Sequence, residues 1–154
     1  MKISEFLDRQ HVIPGLNAAD KPALLRALAE RAAIVVKLDE EVIAEALMAR
    51  EQLGSTGMGG GIAIPHTRLR GLTRPFGMFT RIEPPLDYAA IDGKPVDLVF
   101  LLLTPNSEGN AHLAALAAVS RRLRDSSAAR AVRAAANARE IYDVLVAEQI
   151  GSKS

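Results

Sequence analysis

Cysteine is absent from the 154-residue sequence, which excludes disulfide-stabilised folds and zinc sites built on cysteine ligands. Excess charge of one sign is also absent: 19 lysine and arginine residues face 18 aspartate and glutamate residues, which argues against a general nucleic-acid binder. No apolar run reaches the roughly 18 residues that a transmembrane helix needs. The N-terminus carries acidic residues where a signal peptide would be apolar. We therefore predict one cytoplasmic domain, residues 1–154, large enough to fold around its own core.

Two segments have the spacing of amphipathic helices, and Asp20 and Asp39 stand where each helix needs an N-terminal cap. The second helix should end near Leu53 and Gly54, where the periodic pattern stops. The predicted apolar faces comprise Leu24, Leu25, Leu28 and Ala32 in the first helix, and Val42, Ile43, Ala46 and Leu47 in the second.

Strand-like runs at 62–65, 76–82 and 96–105 follow these helices. The last run, VDLVFLLLTP, is almost uniformly apolar, which is typical of a strand covered on both faces. Two further helices are predicted after it, one that places His112, Leu116, Val119 and Leu123 at helical spacing and one over residues 138–150. Helices on both sides of strands in sequence indicate an α/β fold, a central sheet sandwiched by helices.

The stretch GMGGGIAIPH, residues 57–66, has four glycines in five residues before a strand and a histidine. A phosphate-binding P-loop is excluded because no lysine follows the glycines, and a dinucleotide fingerprint is excluded because Ile62 stands where the third glycine belongs. A hydrolase elbow is disfavoured because Ser55 follows Gly54 directly. A simple turn between helix and strand stays open.

Several polar groups are predicted to converge on this loop. Arg50 leaves its helix near the loop entry, Thr56 places a hydroxyl in the loop, and the glycine amides can approach an anion closely. His112 lies in the first turn of its helix, where the helix dipole disfavours imidazolium and a neutral ring can donate to an anion. An unprotonated nitrogen of His66 could attack phosphorus while a backbone carbonyl holds the other N–H. The alternatives are a helix-terminal arginine for Arg50 and a core or capping role for His112.

AREQLGSTGMGGGIAIPHTRL, residues 49–69, resembles the active-site segment of the fructose/mannitol-type enzyme IIA domains of the bacterial phosphoenolpyruvate:sugar phosphotransferase system. The resemblance is strongest to the stand-alone, nitrogen-related enzyme IIA. It also includes KPALLRALAERAA, IDGKPVDLVFLLLTP, HLAALAAVSRRL and the closing helix, and so spans nearly the whole chain. It implies an α/β sandwich with a mixed, mostly parallel sheet.

The resemblance implies a phosphotransferase component that carries a transient phosphohistidine at His66. A small histidine phosphocarrier protein, charged by enzyme I from phosphoenolpyruvate, would be the donor, and Arg50, Thr56 and His112 would surround the phosphoryl group. No cofactor and no metal is implied. Pro65 is expected to end the strand so that His66 emerges at its tip, on a shallow and mostly apolar docking face. Thr67 departs from the family, where the residue after the histidine is usually small and commonly glycine, and its extra bulk is expected to affect the transfer rate or the lifetime of the phosphohistidine.

The resemblance leaves the downstream role open. A nitrogen-related enzyme IIA would bind regulatory targets such as potassium-handling proteins or sensor kinases, and the short chain without a B-type domain or membrane segment favours this role. The alternatives are a transport enzyme IIA that passes the group to a sugar-specific B domain, and an anion-binding module that is never phosphorylated. A C-terminal basic cluster indicates solvated helix faces or a docking surface for an acidic partner; it comprises Arg121, Arg122, Arg124, Arg130, Arg133 and Arg139.

Overall fold

A computed structural model describes residues 1–107 and 109–147, and within these ranges the chain forms six strands and five α-helices. A short 3-10 turn, Ile3–Glu5, precedes them. The strands are β1 (Leu7–Leu16), β2 (Gly57–Gly59), β3 (Ile62–Ala63), β4 (His66–Leu69), β5 (Phe76–Leu86) and β6 (Val96–Pro105). The helices are α1 (Lys21–Val36), α2 (Glu40–Gln52), α3 (Ala111–Arg124), α4 (Ser126–Ala134) and α5 (Ala138–Val146).

The six strands form one sheet in the order β1-β5-β6-β3-β2, and β4 pairs with β6 farther along the same strand edge as β3. Pairings of β1 with β5 and of β6 with β3 and β4 are parallel. The β5–β6 and β2–β3 pairings are antiparallel. The predicted mixed, mostly parallel sheet is therefore confirmed.

The central strand β6 explains why its sequence is apolar throughout. Its alternate side chains enter two separate cores, since successive residues of a strand point to opposite faces. Val99, Leu101 and Leu103 pack with α1 and α2, whereas Leu98, Phe100 and Leu102 pack with α3, α4 and α5. Burying each such side chain contributes about 1.5–3 kcal/mol. Helices thus cover both faces of the sheet, as predicted.

Both predicted helix caps are present. The Asp20 carboxylate accepts from the Ala23 amide at 2.9 Å, and the Asp39 carboxylate accepts from the Glu41 amide at 2.8 Å. The predicted face of α1 is buried, but the prediction for α2 was wrong at Val42, which is 54% exposed. Ile43, Ala44 and Leu47 form the buried stripe instead, because Val42 lies about 100° around the helix from Ile43. None of the helices in the described ranges has the length and hydropathy needed to cross a bilayer.

Four elements were not predicted, namely β1, β2, β4 and α4. β1 reads LDRQHVIPGL, which lacks the alternation of a half-buried strand; Pro14 is tolerated because β1 lies at the sheet edge and pairs only with β5. β5 continues beyond the predicted residue 82 to Leu86. The prediction of a last helix over 138–150 is met by α5 as far as Val146, and its residues 148–150 lie outside the described ranges, as does the end of the predicted 1–154 domain.

Candidate functional site

β3 and β4 lie one after the other along the same edge of β6, separated by residues 64–65, and His66 is the first residue of β4. It pairs with Leu102 of β6, and the preceding carbonyl, that of Pro65, accepts from the Leu102 amide at 3.0 Å. The expectation that Pro65 ends the strand and leaves His66 at its tip was therefore wrong. The Ile64 amide turns to the Thr56 carbonyl at 3.0 Å, so the ladder is interrupted at 64–65 and resumes as β4.

Two contacts fix the tautomer of His66. Nδ1 lies 2.7 Å from the Ile64 carbonyl oxygen, which can only accept, so Nδ1 carries the proton. The Arg50 Nε donates to Nε2 over 3.3 Å, and a guanidinium can only donate, so Nε2 carries a lone pair. The sequence predicted a histidine with one N–H held by a backbone carbonyl, and the structure assigns the carbonyl to Ile64 and the free lone pair to Nε2.

Arg50 lies in the last turn of α2 and combines both roles considered from the sequence. Its Nη1 donates to the Gly54 carbonyl oxygen at 2.8 Å, which satisfies a carbonyl just beyond the helix end. Its Nε reaches His66, so the residues at the helix end and at the start of β4 are brought together as expected. The positive charge on Arg50 thus lies beside the nitrogen that would carry a phosphoryl group.

His112 also reaches the site from the first turn of α3. Its ring centroid is 5.5 Å from that of His66, and its Nδ1 lies 2.5 Å from the Thr104 hydroxyl oxygen. Burial, followed by the charges of His66, Arg68 and Arg50, lowers the pKa of His112 to about 4. The lowered pKa favours the neutral ring expected from the sequence, but the cause is burial and these charges and not the helix terminus.

Burial also lowers the pKa of His66, and the charge on Arg50 lowers it further. The hydrogen bond to the Ile64 carbonyl and the carboxylate of Glu51 act in the opposite direction. The neutral imidazole is favoured, so the Nε2 lone pair is available to an electrophile near neutral pH. A neutral nucleophilic nitrogen beside a fixed guanidinium suits the acceptance of an anionic group.

Thr56 is buried, and its hydroxyl is not directed to His66. The hydroxyl is bonded to the Glu51 carboxylate and lies 2.9 Å from the Tyr88 hydroxyl. The expectation that this hydroxyl is placed in the loop to receive a phosphoryl oxygen was wrong, because a buried carboxylate requires donors and Thr56 supplies two, its amide and its hydroxyl.

The sequence reasoning missed Glu51 and two of the residues that meet Thr56 at its carboxylate, Lys21 and Tyr88. The Lys21 ammonium and the Tyr88 hydroxyl each donate to the Glu51 carboxylate at 3.0 Å. The role of Glu51 could have been predicted from the sequence, since it follows Arg50 directly and lies one helical turn beyond the buried Leu47. Nothing in the sequence indicated a role for Tyr88, because it lies between strands in a segment without periodicity.

The glycine run does not line the His66 site. Gly57–Gly59 forms β2, which returns through Gly60 and Gly61 into β3 as a hairpin. The Gly60 amide donates to the Asp92 carboxylate at 3.0 Å, and the Gly60 carbonyl accepts from Arg133 Nη2 at 2.7 Å. The expectation that glycine amides receive an anion beside His66 was therefore wrong. Among the described residues, no three His, Asp or Glu side chains gather closely enough to hold a metal ion.

Comparisons with known proteins identify the family of the chain. The family model described as phosphoenolpyruvate-dependent sugar phosphotransferase system, EIIA 2, matches residues 5–148. The nitrogen regulatory protein of Bradyrhizobium diazoefficiens is 43% identical over 145 residues, which cover 94% of this chain and 95% of that protein. The nitrogen regulatory protein of Escherichia coli is 38% identical over 146 residues, covering 94% and 90%.

Solved structures give the same relationship. The nitrogen regulatory protein IIA-Ntr from Neisseria meningitidis matches with a TM-score of 0.88 at 33% identity, covering 93% of this chain and 98% of that one. The IIA mannitol structure from Escherichia coli matches with a TM-score of 0.75 at 20% identity, covering 90% and 97%, and supports the fold alone. The family resemblance and the fold inferred from the sequence are confirmed.

Proposed function

The chain belongs to the EIIA 2 family of the phosphoenolpyruvate-dependent sugar phosphotransferase system, and from that premise we propose that it accepts a phosphoryl group on Nε2 of His66. The observation that carries the proposal is the pair of contacts on the ring: Ile64 holds Nδ1–H, and Arg50 Nε lies 3.3 Å from the Nε2 lone pair. This places an oriented nucleophile beside a cation.

In the proposed step, the Nε2 lone pair forms a bond to phosphorus while the phosphorus–nitrogen bond of the donor phosphohistidine breaks. The bonding electrons of the broken bond return to the donor imidazole. His66 keeps its proton on Nδ1, and the Ile64 carbonyl stabilises the positive charge that develops on the ring. Arg50 leaves the lone pair and donates to the phosphoryl oxygens.

His112 would support the transferred group. When Nδ1 accepts from the Thr104 hydroxyl, the proton of the neutral ring lies on Nε2, which can donate to a phosphoryl oxygen. Thr56 would contribute indirectly, because its hydroxyl donates to Glu51 and lies 2.9 Å from the Tyr88 hydroxyl. We expect the donor to be a small histidine phosphocarrier protein in the cytoplasm.

The downstream role is proposed to be regulatory. The support is that relatives covering more than nine-tenths of this chain carry the name nitrogen regulatory protein. Regulatory targets such as potassium-handling proteins or sensor kinases fit this role, and a sugar-specific B domain is the partner expected for a transport role.

Intact-protein mass spectrometry tests the acceptor. The chain is incubated with phosphoenolpyruvate, enzyme I and the phosphocarrier, in parallel with His66→Ala and with His11→Ala as the matched control on β1. We expect one acid-labile phosphoryl group on the parent and on His11→Ala, and none on His66→Ala. A folded parent protein that gains nothing from active upstream enzymes would reject the proposal and favour the anion-binding alternative. Transfer onward to a B domain would favour transport.

A further inference from the structure

Four polar side chains form a buried cluster beside the His66 site: Lys21, Glu51, Thr56 and Tyr88, here called the Glu51 cluster. The Glu51 side chain is only 6% exposed, and its carboxylate receives Lys21 Nζ at 3.0 Å and the Tyr88 hydroxyl at 3.0 Å. The Thr56 hydroxyl and amide donate to the same carboxylate. Lys21 also lies 4.4 Å from the centre of the Tyr88 ring. A buried carboxylate with this many donors is held in one position.

Glu51 and Arg50, consecutive residues of α2, bind the same short loop at two points. Arg50 Nη1 donates to the Gly54 carbonyl at 2.8 Å, and the Glu51 carboxylate accepts from the Thr56 amide at 3.2 Å. The loop therefore cannot shift without disturbing the helix turn that carries the guanidinium beside His66.

A continuous hydrogen-bond path also leads from the Glu51 cluster to the His66 ring. The Thr56 carbonyl accepts from the Ile64 amide at 3.0 Å, and the Ile64 carbonyl accepts from His66 Nδ1 at 2.7 Å. Thr56 is thus tied to Glu51 and Tyr88 through its side chain and to the backbone that orients the imidazole through its carbonyl. Both partners of the Arg50–His66 contact depend on one buried carboxylate.

From this arrangement we infer that Glu51 and Tyr88 are positioning residues for phosphoryl transfer. They do not touch the reacting atoms; they fix the tautomer and direction of His66 through Thr56 and Ile64, and they fix the helix turn of Arg50. The inference rests on the proposed function, since it assigns a role in the reaction of that site. It also makes a claim about the ring of the unphosphorylated protein, which can be measured without any transfer.

The first test measures transfer kinetics. Tyr88→Phe keeps the ring and removes one donor to the carboxylate, and Thr56→Val keeps the volume and removes another. We expect kcat for acceptance from the phosphocarrier to fall about tenfold in each, which is the scale of one hydrogen bond to a charged group. KM should change less than about twofold, because Tyr88 and Thr56 are buried and neither change alters the protein surface. Tyr142→Phe on α5 is the matched control, and Thr56→Ser, which retains the hydroxyl, should restore the parent kcat.

The second test observes the ring directly by 15N NMR of the unphosphorylated protein. In the parent, Nδ1 should be protonated and Nε2 unprotonated; in Tyr88→Phe and Thr56→Val, the two signals should move toward a mixture of tautomers, and in Tyr142→Phe they should not. Parent-like ring signals in both folded variants would overturn the inference, whatever their rates. If the parent accepts no phosphoryl group but its variants lose the fixed tautomer, the proposed function fails, and only the part of the inference that concerns the orientation of the His66 ring stands. A variant that fails to fold is replaced by Glu51→Gln, which removes the charge and keeps the shape.

Discussion

The segment from residue 54 to 66 divides into two regions that serve different parts of the molecule. Its ends, 54–56 and 64–66, lie against α2 and carry the contacts of Arg50 and His66. Its middle, 57–61, turns away as a hairpin and receives the side chains of Asp92 and Arg133. In the first region, the loop ends hold the functional side chains of Arg50 and His66 in place. In the second region, side chains from elsewhere in the fold approach the glycine backbone closely.

The hairpin shows why a glycine run alone is a weak sign of an anion site. A Cβ on Gly61 would lie 2.5 Å from Arg133 Nη2 and 2.8 Å from Asp97 Oδ1. Arg133 and Asp97 themselves form a two-pronged ion pair with contacts of 2.8 Å. Gly61 leaves room for that ion pair. A glycine is therefore found at this position because neighbouring side chains crowd it, and not because an anion binds there.

Replacing the cation at the His66 end should give the largest effect. In Arg50→Met, we expect acceptance of the phosphoryl group to slow by about 100-fold, the cost of removing one fixed donor to developing charge. Arg26→Met is the control, since Arg26 makes an exposed ion pair with Glu41. The measurement is the rate of phosphohistidine formation, and a rate within about twofold of the parent would remove Arg50 from the site.

Crowding the hairpin should lower stability and leave transfer intact. We expect Gly61→Ala to lose about 3 kcal/mol of unfolding free energy, from a positive φ and two clashes. Gly93→Ala is the matched control, because Gly93 has a similar φ of +73° and nothing within 4 Å of its Cβ position, so it should lose only about 1 kcal/mol. Urea unfolding measures both. Equal losses would show that the ion pair moves aside at no cost, and a transfer defect in folded Gly61→Ala would show that the two regions are coupled.

Acid should distinguish the two regions by the pH dependence of the unfolding free energy. The pKa of His112 is about 4 in the folded protein and 6.5 ordinarily, so between these values unfolding takes up a proton. This contribution to stability is complete above pH 6.5 and is lost as pH falls toward 4. We expect His112→Gln to reduce the slope of stability against pH in that window, and Gly61→Ala to lower stability at every pH with the slope unchanged. A parent-like slope in His112→Gln would contradict the assignment.

The sequence alone predicted correctly those features that depend on the spacing of residues within one helix or strand. Capping by Asp20 and Asp39 and the uniformly apolar β6 follow from helix and strand periodicity, and all three are present. Val42 and Thr56 were placed wrongly because burial depends on which neighbours complete the core, and spacing along one element leaves that undetermined.

By itself, the sequence determined the helix and strand periods, the α/β layering and the family, because each depends on residue type at fixed spacing along the chain. Only the tertiary structure decided that His66 begins a strand, that its Nε2 is the unprotonated nitrogen, and that the Thr56 hydroxyl donates to Glu51. Those features arise where segments distant in sequence meet. A carboxylate from α2, a lysine from α1 and a tyrosine from the segment between β5 and β6 must satisfy one another's hydrogen bonds once water is excluded.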